Sequence, residues 1–241
     1  SIMERNFQTA EPFRIKVVEP IKKTTRAYRT QALKNAQYNA FRLKAEDVYV
    51  DCLTDSGTTA MSTEQWSAMM LGDESYAGCK SFYKLEASAQ EVFGMPYVQP
   101  THQGRGADFI MAQYYAKPGK YAVGNMHFDT FHGNAEILGA IPKKDGLVNI
   151  GGLIVTRNHD FYLYSNVQAI VHEGFITYGG QSGRDMEALA VGLKEATTDE
   201  YLEYRINQVK YLGDRLKEKG IPCVEPSGGH GIYVDARRFF P

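Results

Sequence analysis

The chain has 241 residues, 43% of them apolar, which is enough to bury one good-sized core in one domain or one and a half. Its 27 basic and 28 acidic side chains nearly cancel and no Lys/Arg cluster is dense, so nucleic-acid and other polyanion binding is not expected. No apolar run approaches the roughly 18 residues of a membrane helix, and the start SIMERNFQTAEPF lacks the basic-then-apolar order of a signal peptide, so a cytoplasmic protein without membrane contact is expected.

Residues 1 to about 45 read as a polar, irregular arm, followed by a strand at DVYVDCL with its β-branched and aromatic content. Ser62 with Gln65 predicts a capping box for a helix through EQWSAMML, stopped by Gly72. Phe82, Leu85, Ala89, Val92 and Phe93 recur at helical spacing before Gly94 and predict a second, amphipathic helix. Then come a short strand in MPYVQPT, a helix in GADFIMAQYYA, a turn at KPG and a strand in KYAVGNMHF. Alternating strands and helices predict an α/β protein with a mostly parallel sheet flanked by helices.

GLVNIGGLIVT is strand-rich, with a hairpin expected at Gly151-Gly152, and Asn158 is placed to cap HDFYLYSNVQAIVHEG. Thr197 with Glu200 is expected to cap a long core helix whose Leu202, Ile206, Val209, Leu212 and Leu216 form one stripe, ended by Gly220. IPCVEP and GIYVDA read as strands of a further unit. The expected division is an arm over 1–45, a large domain over 46–218 and the start of a small α+β domain over 219–241. Cys52, Cys79 and Cys223 are odd in number and widely spaced, so all three are expected to be reduced and structural.

The chemistry concentrates between positions 54 and 152. PTHQGRGAD sets Gln103, Gly104, Arg105 and Gly106 between a strand and a helix, where free amides and a guanidinium converge on an anion such as phosphate. Many α/β proteins carry such a turn with no ligand, so both readings stand on pattern alone. Phe128 in NMHFDT offers a flat apolar surface and Asp129 a carboxylate. In AIPKKDGLVNIGG, Lys143 and Lys144 are either solvated turn charges or, at a buried strand entrance, one amine nucleophile. An anion cradle, an aromatic plate and a lysine on successive strand ends are the parts of a pyridoxal-phosphate site.

Seven segments make the likeness specific: LTDSGTTAMS, GDESYAGCKSFYKLE, PTHQGRGA, GNMHFDT, KKDGLVNIGG, YGGQSGRDMEALAVGL and GGHGIYVDAR. In that order they resemble the β-eliminating lyases, the family of tyrosine phenol-lyases and tryptophanases. The resemblance implies the aspartate-aminotransferase-like fold (fold type I) and a homo-oligomer, a tetramer built as a dimer of dimers. It also implies pyridoxal 5'-phosphate and a potassium ion as cofactors. The implied reaction is β-elimination from an aromatic amino acid, splitting tyrosine to phenol, or tryptophan to indole, with pyruvate and ammonia. VEPSGGHGIYVDARRF is closer to the former group, Asp129 to the latter.

The same resemblance assigns residues. Lys144 matches the lysine that bonds the cofactor, with Lys143 beside the active centre. Gln103, Gly104 and Arg105 match the phosphate turn, and Phe128 the ring stacked on the pyridine. Tyr76 matches a tyrosine that reaches a neighbouring subunit's site as proton donor to the leaving group, and Thr54 lies beside the active centre. Gly57, Glu74 and Asn149 match the surroundings of the potassium ion.

Bland readings stand beside these. Asp55 and Asp73 are more often turn or cap residues than acids or bases. The six histidines lack metal spacing, His159 belongs at an exposed helix start, and the glycines of YGGQSGRD suit a left-handed loop as well as an anion nest. Ile141-Pro142 stand where the family has a serine contact to the phosphate. The segment carrying the family's aspartate for the pyridine nitrogen has no counterpart between Ala140 and Lys143, and the family's small domain extends past Pro241. The chain is therefore expected to be an incomplete lyase, joined at 141–142, with a catalytically dead binding scaffold as the other outcome.

Overall fold

A computed structural model describes residues 20–51, 61–118, 151–229 and 231–239. They fall in two compact units, one within Glu11–Thr58 and the other within Thr59–Pro241. In the smaller unit, helix α1 (Arg26–Asn35) occupies a stretch expected to be irregular. It buries no side chain, so it has no apolar stripe for periodicity to detect; Thr25 Oγ1 caps it by accepting from the Tyr28 amide at 3.2 Å. The strand expected at DVYVDCL is absent from its described residues. A 3₁₀ turn, Ala45–Asp47, leads into this stretch, and Asp47 Oδ1 accepts from the Tyr28 hydroxyl at 2.6 Å, which raises the tyrosine pKa. β-Branched content makes a strand only where a neighbour is available to pair and pack with it.

The larger unit begins with α2 (Thr63–Met69) under the expected capping box: Ser62 Oγ accepts from the Gln65 amide and Gln65 Oε1 from the Ser62 amide. α3 (Lys80–Phe93) ends at Gly94, whose φ of 62° is left-handed. β1 (Tyr97–Thr101), α4 (Gly104–Tyr115) and β2 (Gly152–Thr156) follow, then α5 (His159–Gln168), which Asn158 caps as expected. A π-helical turn, Ala169–Glu173, extends α5 before α6 (Gly183–Glu195), α7 (Asp199–Glu218) and the short α8 (Ala236–Phe239). Among the described residues no helix is long and apolar enough to cross a membrane.

Helices cover both faces of the strand pair. On one face Phe82, Leu85 and Ala89 of α3 meet Val98 of β1 and Met186, Leu189 and Leu193 of α6. On the other, Ile110 of α4, Ile154 of β2 and Phe161 of α5 form a second cluster. Period-two alternation explains the split, since Leu153 and Val155 face the first cluster and Ile154 the second.

The layering matches the α/β expectation, but the pairing does not. β1 and β2 are antiparallel, with Tyr97 opposite Thr156 and Thr101 opposite Gly152. Alternation of elements along the chain identifies strands without saying which of them are neighbours, and an antiparallel edge on a parallel sheet is common. The strand expected in KYAVGNMHF and the first arm of the hairpin expected at Gly151-Gly152 lie outside the described residues.

Two further expectations change at the C-terminal end. The cap of α7 is Thr198, without a side-chain bond to the helix, because the Thr197 and Thr198 hydroxyls donate backwards to Lys194 O and Glu195 O. Of the α7 stripe only Val209 is buried, while Leu202, Ile206 and Leu212 are exposed, so α7 is not a core helix among the described residues. IPCVEP and GIYVDA make one antiparallel bridge, Cys223 to Val234, in place of strands. Pro222 and Pro226 flank the bridge and lack the amides a ladder needs.

Leu85 is fully buried between α3, β1 and α6. Leu85→Ala is expected to lower unfolding stability by about 2–5 kcal/mol, read as a lower urea midpoint with an unchanged slope.

Candidate functional site

The turn from β1 into α4 is built backbone on backbone. Gln103 is the N-cap of α4 in extended conformation and makes no side-chain cap bond. Its carbonyl accepts the Thr101 hydroxyl at 3.0 Å and the Gly106 amide at 3.0 Å. A Cβ on Gly152 would lie 2.5 Å from Gln103 C and 2.6 Å from Gly104 N, so only glycine lets the start of β2 lie against this turn. Gly104 faces open space, and Arg105 is exposed with no ion pair among the described residues.

Gln181, on the loop before α6, ties the turn to the sheet. Its buried amide donates to Thr101 O and to Gly152 O, each at 2.8 Å. Glu173, at the end of the π-helical turn, brings a carboxylate to the same place. The His102 amide donates to Glu173 Oε2 at 2.6 Å, and a Cβ on Gly106 would lie 2.2 Å from Glu173 Oε1. A carboxylate therefore already lies at the N-terminal end of α4, on the amide just before its cap, where the dipole of the helix favours negative charge.

A cleft of about 260 Å³ opens beside this floor, lined by residues that include Asp73, Glu74, Tyr76, Cys79, Tyr178 and Gln181. Tyr76, 73% exposed, stacks on Phe175 at 5.2 Å between centroids and meets Tyr178 edge-on at 6.1 Å. Asp73 is a cap: it accepts from the Lys80 amide at 2.9 Å, the Ser81 amide at 3.0 Å and the Ser81 hydroxyl at 2.8 Å. Those donors, the Lys80 amide foremost, hold its pKa down at about 2. Cys79 and Cys223 are buried and unbridged, and burial pushes the Cys79 thiol up.

Of the residues singled out in the sequence, Gln103, Gly104 and Arg105 form the turn, and Glu74 and Tyr76 share the cleft. Thr54, Gly57, Phe128, Asp129, Lys143, Lys144 and Asn149 lie outside the described residues, as does Asp55. His159 is exposed at the start of α5, as expected. The glycines of YGGQSGRD serve the loop: Gly179 and Gly180 have φ of 54° and 76°, and a Cβ on Gly179 would lie 1.9 Å from Pro100 O. Sequence reading did not single out Glu173, Phe175, Tyr178 or Gln181; Tyr178 and Gln181 lie in the YGGQSGRD segment, where only the glycines were read, Glu173 lies in HDFYLYSNVQAIVHEG, read only as a helix, and no quoted segment contains Phe175.

A family model described as beta-eliminating lyase matches residues 51–144 and, separately, 140–236. The tyrosine phenol-lyase of Symbiobacterium thermophilum is 36% identical over 350 residues, covering 96% of this chain and 76% of that protein. The tyrosine phenol-lyase of Nostoc punctiforme is 37% identical over 350 residues, 96% of this chain and 75% of its own length. A probable beta-eliminating lyase of Trichomonas vaginalis is 37% identical over 346 residues, 95% of this chain and 76% of its own. Each matched span is longer than the 241 residues of the chain, so these relatives carry residues with no counterpart in it.

The folded pKa of Asp73 lies below its ordinary 3.8, so its bonds stabilise the fold above that value and are lost as pH falls towards about 2. Asp73→Asn should therefore unfold at lower urea than wild type at neutral pH, and the two curves should converge as pH falls from 3.8 towards about 2. Parallel curves down to that pH would contradict the cap role.

Proposed function

The chain belongs to the beta-eliminating lyase family, and on that premise we propose that it catalyses pyridoxal-phosphate-dependent β-elimination of tyrosine to phenol, pyruvate and ammonia. The observation that carries the site is the N-terminus of α4: Gly104 faces open space, Arg105 is exposed beside it, and the adjoining His102 amide already meets a carboxylate, that of Glu173. Tyrosine as substrate is supported by the names of the relatives at 36–37% identity.

In this reading the amides of Gln103 and Gly104 and the Arg105 guanidinium would hold the phosphate, and Phe128 would supply the apolar surface for the pyridine ring. When bound, the cofactor supplies the electron sink for the charge left on the substrate Cα. Lys144 would be the amine that holds the cofactor and moves the α-proton, with Lys143 and Thr54 assigned to the active centre by the family resemblance. Tyr76 gives a proton to the ring carbon as the bond to the substrate Cβ breaks, and water completes the products. Its exposed phenol is consistent with service in a neighbouring subunit of a tetramer of paired dimers. The family resemblance would assign Gly57, Glu74 and Asn149 to a potassium ion, and of these Glu74 lines the cleft.

We also infer that Ile141-Pro142 marks a join in the chain as written. Two features favour this: the matched stretches meet at 140–144, and the aligned spans exceed the chain. Asp129, which resembles the tryptophanases, favours indole release as the second reading.

Incubation with pyridoxal phosphate and either amino acid separates the outcomes by product. Phenol and pyruvate from tyrosine, abolished in Lys144→Ala together with the visible cofactor band, is the expected result. Indole from tryptophan alone would move the assignment to the second reading, and no band and no pyruvate would leave a binding scaffold. Intact mass tests the join: an active protein of about 27 kDa would refute it, and a heavier one would support it.

A further inference from the structure

Glu173 has a place in the site that the proposed reaction does not use. Its carboxylate sits over the first turn of α4, receiving the His102 amide at 2.6 Å, and Gly106 is the residue whose missing Cβ makes room for it. A phosphate held by Gln103, Gly104 and Arg105 needs the same field at the start of α4, next to the His102 amide and Gly106 that meet Glu173. Two anions side by side there repel each other.

The segment that delivers Glu173 is built to give. It ends the π-helical turn Ala169–Glu173, closed by the Gly174 amide donating to Ala169 O at 2.8 Å. Gly174, Gly179 and Gly180 follow at φ of 125°, 54° and 76°, a loop with three residues free of side-chain constraint. A π turn holds one residue more than an α turn. Passing that extra residue into the glycine loop would turn Glu173 about the helix axis and carry its carboxylate away from α4.

From this geometry we propose that Glu173 is a displaceable latch: its carboxylate lies against the phosphate turn of the cofactor-free chain, on the His102 amide and Gly106, and is expelled when the cofactor phosphate enters. The proposal rests on the reading of Gln103–Arg105 as the phosphate turn. Its role is competition and it takes no part in the bond changes. Because the competition is for the phosphate alone, it weakens pyridoxal phosphate and leaves pyridoxal, which lacks the phosphate, unaffected.

The test titrates the full chain with pyridoxal phosphate and, separately, with pyridoxal, following the visible band. Glu173→Gln should tighten pyridoxal phosphate by about tenfold and leave pyridoxal unchanged. Glu173→Asp, one methylene too short for the seat, should tighten it in the same direction and reads the same quantity if the glutamine variant does not fold. Arg105→Ala, in parallel, should weaken pyridoxal phosphate. If Arg105→Ala weakens it while neither Glu173 variant tightens it, the latch is overturned and the phosphate turn stands. If none of the variants alters it, or wild type binds neither compound, both fall. A loss of stability in the Glu173 variants without a change in affinity also overturns the latch, leaving a plain helix cap.

Discussion

Everything at the candidate site hangs on one buried amide. Gln181 Nε2 holds two carbonyls, Thr101 O at the end of β1 and Gly152 O at the start of β2, each at 2.8 Å. Those residues are the last pair of the strand ladder, and Gly152 lies against the Gln103–Gly104 peptide that starts α4. Fixing the pair therefore fixes the helix terminus that meets the anion. Each bond adds only about 0.5–1.5 kcal/mol net, but removing the donor leaves two buried carbonyls at about 1–3 kcal/mol each. The clamp thus matters more for what its loss exposes than for what its presence adds.

Two carboxylates at this end of the larger unit occupy helix N-termini, and their settings differ. Asp73 is saturated by two amides and a hydroxyl at α3 and belongs to the permanent structure. Glu173 takes one amide bond, from His102 just before α4, and lies at the end of an irregular turn followed by glycines of positive φ. One helix is closed by a carboxylate from the loop before it, and the other is met by a carboxylate from a distant turn. That contrast separates the structural carboxylate from the exchangeable one.

Local chemistry was legible in the sequence wherever a single element decides it. The Ser62–Gln65 box, the Gly94 stop and the Asn158 cap stand where they were read, because each depends on a few consecutive residues. The Gln103–Arg105 turn was visible for the same reason. Tertiary decisions were not: β1 pairs antiparallel with β2, and Leu202, Ile206 and Leu212 of α7 stay exposed. The roles of Gln181 and Glu173 were invisible because they reach the turn from about seventy to eighty residues further on, although Gln181 lies within the quoted YGGQSGRD segment. A glutamine becomes a clamp only when the fold places two carbonyls before it.

Hydrogen exchange on the Gln181→Met chain tests the central claim most directly, since methionine keeps the volume and removes the donor. Amides over 101–106 and 151–153 should exchange at least about tenfold faster than in wild type, while α3 around Leu85 keeps its protection. Unchanged exchange over both stretches would contradict the account, because the α4 terminus would then be held without the clamp.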